Sequence, residues 1–219
     1  MKKHLLTAAI LALTLAAAAR AEDVALVTLR VGDDKTPRQF ALEFYEAEAP
    51  RTVENFKKLA GKKFYNGLAI HRVFPHILVQ MGDPLTKHKD RSKVGTGGPG
   101  YTIEAEIRRK HTKGIVAAAR LPDKINPSRH SNGSQFYICL APQPQYDGQY
   151  TVFGHILWGL DTLDALSTKP ADSNDYPIER TVIRSVKIMP REHLPAEPAP
   201  VVPGPAPRAP WWKTWWKLF

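Results

Sequence analysis

The chain of 219 residues is 43% hydrophobic and 24% charged, a composition that suits one packed domain with terminal extras and excludes a disordered polymer. The formal net charge of +10 points to nucleic acid, a membrane surface or an acidic partner only if it is evenly spread, and one cysteine excludes an internal disulfide framework or a Cys-built zinc site. Four of the five tryptophans lie in the last nine residues, where no core requires them.

Residues 1–21 carry Lys2 and Lys3, an apolar run of about 15 residues and Ala19-Arg20-Ala21 before Glu22. That is the pattern of a cleaved signal peptide, and the run falls short of the roughly 20 residues a spanning helix needs. No cysteine follows the cleavage site, which excludes a lipoprotein. Cleavage removes three basic residues and leaves about +7 on the exported chain, of which about +5 belongs to the stretch before residue 190. Export, most simply to a periplasm, takes cytosolic nucleic acid off the list of partners.

From residue 22 to 190 short apolar runs recur between turn residues, at 24–31, 38–44, 68–74, 77–82, 114–120, 135–140, 152–156 and 182–188, and their spacing predicts a β-barrel or sandwich. Two helices interrupt them. Residues 50–60 place Val53, Phe56, Leu59 and Ala60 on one stripe, with Pro50 near the start and Gly61 just past the end; residues 161–167 follow Leu160 with leucines at 163 and 166. Without regular alternation of strand and helix, a doubly wound sheet is excluded. In Gln135-Phe136-Tyr137-Ile138-Cys139-Leu140 the period of two sends Phe136, Ile138 and Leu140 to the core and Gln135 and Tyr137 to the other face. Arg72 and Gln80 are likewise polar residues embedded in apolar strands, joined through a bend at Pro75. Such groups need partners, and on the residues alone a salt bridge for Arg72 and main-chain bonds for Gln80 explain them at least as well as a site does. Cys139, inside an apolar run, reads as a buried structural thiol.

Residues 191–210, rich in Pro, Ala and Val, form the predicted linker, with polyproline II geometry over 195–210. In the last nine residues, 211–219, helical spacing gathers Trp211, Trp212, Trp215, Trp216 and Phe219 on one side and Lys213, Thr214 and Lys217 on the other. Indole rings favour the headgroup layer and lysines favour anionic lipid, so a peripheral membrane tether that folds on contact is expected. A docking segment for a protein or glycan, or a tail without function, are the alternatives.

The motifs His71-Arg72-Val73, Gln80-Met81-Gly82-Asp83, Gly95-Thr96-Gly97-Gly98, Ala118-Ala119-Arg120, Asn132 to Ile138 and Val152-Phe153-Gly154, in this order, resemble the cyclophilins over about residues 24–189. The resemblance implies a mainly β fold, an eight-stranded antiparallel closed barrel capped by two helices, and peptidyl-prolyl cis-trans isomerase activity. It implies Arg72 as catalytic arginine and Gln80 as the groove glutamine. It further implies Ile77, Leu78, Tyr137 and Tyr146 as pocket residues, Ala119, Arg120 (through main chain) and Gln135 as groove residues, and Tyr150 where many members carry histidine. Gln145 stands where the best-known eukaryotic members have tryptophan, Ile77 replaces a ring, and the loop 121–130 is longer than in short eukaryotic forms. These departures imply a reshaped proline pocket and weak cyclosporin binding. Proline-containing polypeptides are the expected partners and the chain is expected to be a monomer.

The chemistry suits those residue types. An X-Pro bond keeps partial double-bond character with a barrier of about 18–20 kcal/mol, so an enzyme must bind the twisted amide better than either planar form. A guanidinium stays charged at working pH and donates to the amide nitrogen as its lone pair appears. No bond breaks, so neither metal nor cofactor is expected, and turnover should be nearly flat between about pH 6 and 8. A non-catalytic proline-binding module or holdase, tethered by the tail, is the alternative. Other motifs carry less: Gly95 to Gly100 matches G-x-G-x-x-G, but a strand is expected at 101–107 instead of a helix. His71 and His76, five apart across a proline, lack zinc spacing.

Overall fold

The computed structural model describes residues 22–199. The signal peptide expected at 1–21 and the tail at 211–219 lie outside them. Eight strands, β1 (Asp23–Val31), β2 (Arg38–Phe44), β3 (Arg72–Phe74), β4 (Leu78–Met81), β5 (Ile115–Ala118), β6 (Phe136–Cys139), β7 (Val152–Trp158) and β8 (Thr181–Pro190), are joined by two helices, α1 (Pro50–Gly61) and α2 (Leu160–Ser167). Every pairing is antiparallel, in the order β3-β4-β6-β5-β7-β2-β1-β8.

The period of two divides each central strand between two apolar environments. Val116 and Ala118 of β5 and Phe136 and Ile138 of β6 enter the main core, with Val27, Leu29, Phe40, Leu42, Val79 and Met81. Their alternates, Ile115, Ala117, Tyr137 and Cys139, join Leu78, Ala119 and Val152 in a second cluster on the outer face. The alternation expected of residues 135–140 therefore holds from Phe136 to Leu140. The second cluster, buried although it lies on the outer face of the sheet, is the floor of the site described below.

Helix α1 forms because Pro50 pre-sets its first turn and Val53, Phe56, Leu59 and Ala60 bury one stripe. Phe56 meets Phe44, Tyr65, Phe136 and Phe153 with ring centroids 5.1 to 5.7 Å apart. Ala49 supplies no side-chain cap. Instead the Glu106 carboxylate, far away in sequence, accepts from the Arg51 and Thr52 amides at 3.1 and 2.9 Å and from the Thr52 hydroxyl at 2.8 Å. These are free N–H groups at the positive end of the helix, where an anion belongs. Helix α1 packs on β7 and β8, and α2 on β2 and β4.

Three expectations are corrected. The run 68–74 is not one strand: residues 72–74 pair with β4, whereas residues 67–70 turn to β8 through a bridge at Ala69 and Val182 and hydrogen bonds such as Ile70 N–H to Thr181 O at 2.9 Å. No ladder joins β3 to β8, so the expected closed barrel is an open, strongly curled sheet whose edges are laced by that short segment. Residues 101–107 are not a strand either; Ile103 makes a single bridge to Ser131. At the far end, residues 191–199 of the expected linker lie along the domain. Arg191 pairs with Glu43 at 2.8 Å, and the Glu197 carboxylate accepts from the Gly159 amide at 3.1 Å.

Candidate active site

The antiparallel register lines up one row of side chains across four strands. Arg72 on β3 stands opposite Gln80 on β4, Gln80 opposite Tyr137 on β6, and Tyr137 opposite Ala117 on β5. Alternation puts all four on the outer face, with Val73 and Val79 between them in the core. Above the row lies an open cleft of about 930 Å³. Arg72, Leu78, Gln80, Ala119, Arg120, Tyr137, Tyr146 and Tyr150, all anticipated from sequence, line it.

Arg72 is half exposed, with its guanidinium 5.0 Å from the Phe74 ring centroid and its Nε 3.8 Å from the Asp175 carboxylate. Both contacts are made by the guanidinium itself, and Arg72, Phe74 and Asp175 all line the cleft. Gln80 donates through Nε2 to Gln135 Oε1 at 2.8 Å. Gln135 is itself fixed, because its Nε2 is shared among Gly97 O at 2.8 Å, Gly95 O at 3.0 Å and Asp83 Oδ2 at 3.2 Å. With its amide nitrogen committed to acceptors, Gln135 must turn its oxygen to Gln80, and Gln80 is left to present its own Oε1 to the cleft.

This network explains Gly95 to Gly100. The loop wraps a carboxylate of its own chain: Asp83, fully buried, accepts from the Gly95 and Gly97 amides at 2.5 and 3.2 Å, and a Cβ at Gly97 would collide with it. The phosphate-loop pattern is thus occupied from within.

Tyr137, Tyr146 and Tyr150 form an aromatic wall with ring centroids 5.3 to 6.0 Å apart. Burial pushes the Tyr137 phenol well above its ordinary range and raises Tyr146 in the same sense. Cys139, beneath them, is pushed up to about 12 by burial and is an inert thiol. The Arg120 side chain is almost wholly buried. It stacks on Tyr150 at 4.6 Å, donates to Gln149 O at 2.9 Å and pairs with Asp123.

Two anticipated residues stand elsewhere. Ile77 occupies the turn between β3 and β4, 43% exposed and outside the cleft lining, because the Phe74–Ile77 turn takes it out of strand alternation. Gln135 is buried and reaches the cleft only through Gln80. Sequence reasoning missed Phe74, His71, Gln149 and the loop 172–176, which line the cleft, and Asp83 behind it. Phe74 was legible, being two residues from Arg72 on the same face. The loop 172–176 carries no periodic signal and is brought in by a main-chain bond, Val73 N–H to Asp175 O at 2.9 Å.

The family model for cyclophilin type peptidyl-prolyl cis-trans isomerase/CLD matches residues 26–188. The chain belongs to the cyclophilin-type peptidyl-prolyl cis-trans isomerase family. Similar proteins include a peptidyl-prolyl cis-trans isomerase-like 1 of Aspergillus niger, 34% identical over 160 residues that cover 73% of this chain and 94% of that one. A peptidyl-prolyl cis-trans isomerase of Synechococcus elongatus is 43% identical over 114 residues, 52% of this chain and 70% of the relative. Among solved structures, a Cryptosporidium parvum cyclophilin aligns with TM-score 0.64 at 26% identity, covering 77% of this chain and 97% of its own. The same protein in the presence of the dipeptide Ala-Pro aligns with TM-score 0.61. The enzyme class of this cyclophilin is therefore that of its relatives. Among the described residues no cluster of His, Cys, Asp and Glu could hold a metal ion, and no helix is long and apolar enough to cross a membrane.

Proposed function

We propose that this cyclophilin accelerates X-Pro bond rotation during the folding of exported proteins, acting as a monomer through Arg72 and the row it begins. The observation that carries the reading is that row, Arg72, Gln80, Tyr137 and Ala117, in one register across four strands. At a strand spacing of about 4.8 Å it runs roughly 14 Å, the length of about four extended residues. A proline ring settles on Leu78, Tyr137 and Tyr146, and Gln80 Oε1 accepts from the client main chain. The Arg72 fork then donates to the imide nitrogen as it pyramidalises, an interaction absent from either planar form. An acceleration of about 10⁵ requires roughly 7 kcal/mol of such preference. Arg120 meets the client through main chain, since its side chain is committed to Tyr150 and Asp123.

Exchange NMR or a protease-coupled assay on a short Ala-Pro peptide tests this. Turnover by the wild-type protein, lost by at least about 100-fold in Arg72→Ala with the fold intact, is expected; binding without turnover would instead mark a holdase. The export and tether readings rest on sequence at 1–21 and 211–219. Liposome sedimentation with anionic vesicles, with and without residues 211–219, decides the second, and equal pelleting of both forms sinks it.

A further inference from the structure

Beneath the aromatic wall lies a polar chain that the isomerase chemistry does not use. His111, in the segment before β5, has a side chain fully removed from solvent. Its Nε2 is 3.0 Å from the Tyr137 hydroxyl and its Nδ1 is 3.1 Å from Asp147 Oδ1, the same oxygen that accepts from the His111 amide at 2.6 Å. The imidazole lies nearly parallel to the Tyr137 ring, 13° between planes, and edge-on to both Tyr146 and Tyr150. On the other side of Tyr146, the Gln143 amide donates to His111 O at 2.8 Å. The short loop that carries Tyr146 is thus pinned to His111 at both ends.

We propose that His111, oriented by Asp147, is a positioning residue for the proline pocket: it holds Tyr137 down by its hydroxyl and clips the Tyr146 loop over it. The inference deepens the isomerase reading and rests on it. An ionised carboxylate only accepts, so the proton of the neutral imidazole sits on Nδ1 and Nε2 is left as an acceptor. The Tyr137 O–H then donates downward into the floor. The cleft receives a ring face without a competing donor, which suits a pyrrolidine that has no N–H. Without His111 the phenol is a buried group without a partner, and it gains by swinging towards the water in the cleft, into the space of the proline ring.

The test has two arms on the full chain. In the first, ¹⁵N-resolved NMR of the imidazole reads the tautomer, with Nδ1–H expected in the wild type and a mixed population in Asp147→Ala; an Nε2–H tautomer in the wild type overturns the proposal. In the second, Kd by NMR titration and kcat/KM for a short Ala-Pro peptide are measured over a double-mutant cycle of His111→Phe and Tyr137→Phe. His111→Phe is expected to weaken Kd and raise KM by about tenfold with a smaller change in kcat, to cost under about twofold when Tyr137 is already Phe, and to be largely rescued by His111→Gln. Equal losses in both backgrounds, or none in the wild type, overturn it. Should His111→Phe fail to fold, Asp147→Ala takes its place in the cycle, since Asp147 is partly exposed. A wild-type protein that binds the peptide but does not turn it over sinks the isomerase reading alone, because the tautomer and the Kd cycle still report on His111.

Discussion

Arg72 and Gln80 face each other across one strand pair, yet they depend on quite different neighbours. Arg72 is held by an exposed ion pair with Asp175 and by Phe74, contacts worth about 1 kcal/mol or less at the surface, so its replacement by Ala should leave the unfolding midpoint almost unchanged while activity falls. Such a separation of activity from stability would mark it as a functional group. Gln80 hangs from a buried chain that ends at Asp83. Asp83→Ala would strip partners from the Gly95 and Gly97 amides and loosen the loop whose carbonyls orient Gln135, and with it Gln80. Denaturant unfolding should show a loss of about 1–3 kcal/mol, and KM for an Ala-Pro peptide should rise with it. A normal KM in a destabilised variant would show that Asp83 serves the loop alone. The polar residues at 72 and 80 were visible in the sequence as misfits in apolar strands, whereas Asp83 and His111 were not, since a buried partner is defined by what surrounds it in space.

At the level of elements, helix α1 shows how a local pattern is completed from afar. Its stripe and its proline were readable, and its limits agree with expectation to within one residue. Its cap was not readable, because Ala49 caps nothing and Glu106 arrives through tertiary folding. Glu106→Ala should lower stability by about 1 kcal/mol, read as a shift in denaturant midpoint at constant slope, while leaving peptide turnover in place. The hairpin of β3 and β4 separates two neighbours that the resemblance places together. Ile77 looked like a pocket residue by resemblance, but the turn places it outside while its neighbour Leu78 enters the cleft. That turn is tied down by the His76 amide, which donates to Ser167 Oγ on α2 at 3.0 Å. Similarly, an apolar run at 68–74 predicts extended chain but not that it changes partner at His71, so the seam of the sheet was invisible before folding.

For the whole molecule, two buried imidazoles set the acid response. Burial lowers the pKa of His71 and of His111 below the ordinary 6.5, against the opposing pull of Asp83 on the first and Asp147 on the second. In the window from the unfolded value down to the folded ones the unfolded chain binds more protons, so stability falls as pH drops below about 6.5. The Asp147 carboxyl, held below its usual range chiefly by the His111 amide, adds a loss of the same sign at lower pH. The urea midpoint should therefore decline steadily from about pH 7 to 5, and His111→Gln should flatten part of that slope; a midpoint that rises on acidification would contradict the burial of both rings. The net charge, which first suggested a nucleic-acid partner, is divided among an expected export signal, a modestly basic domain and a cationic tail. What the sequence determined by itself was what periodicity and local chemistry carry: most of the strand runs, the two helices and the core face of β6; the resemblance added eight of the residues that line the cleft. Only the tertiary structure decided which strand edges meet, that Ile77 turns away, that Gln135 acts from behind Gln80, and that His111 sits under three tyrosines. Apart from the local Phe74–Ile77 turn, those facts depend on contacts between residues 26 or more positions apart, and a pattern with a period of two or 3.6 holds no information at that range.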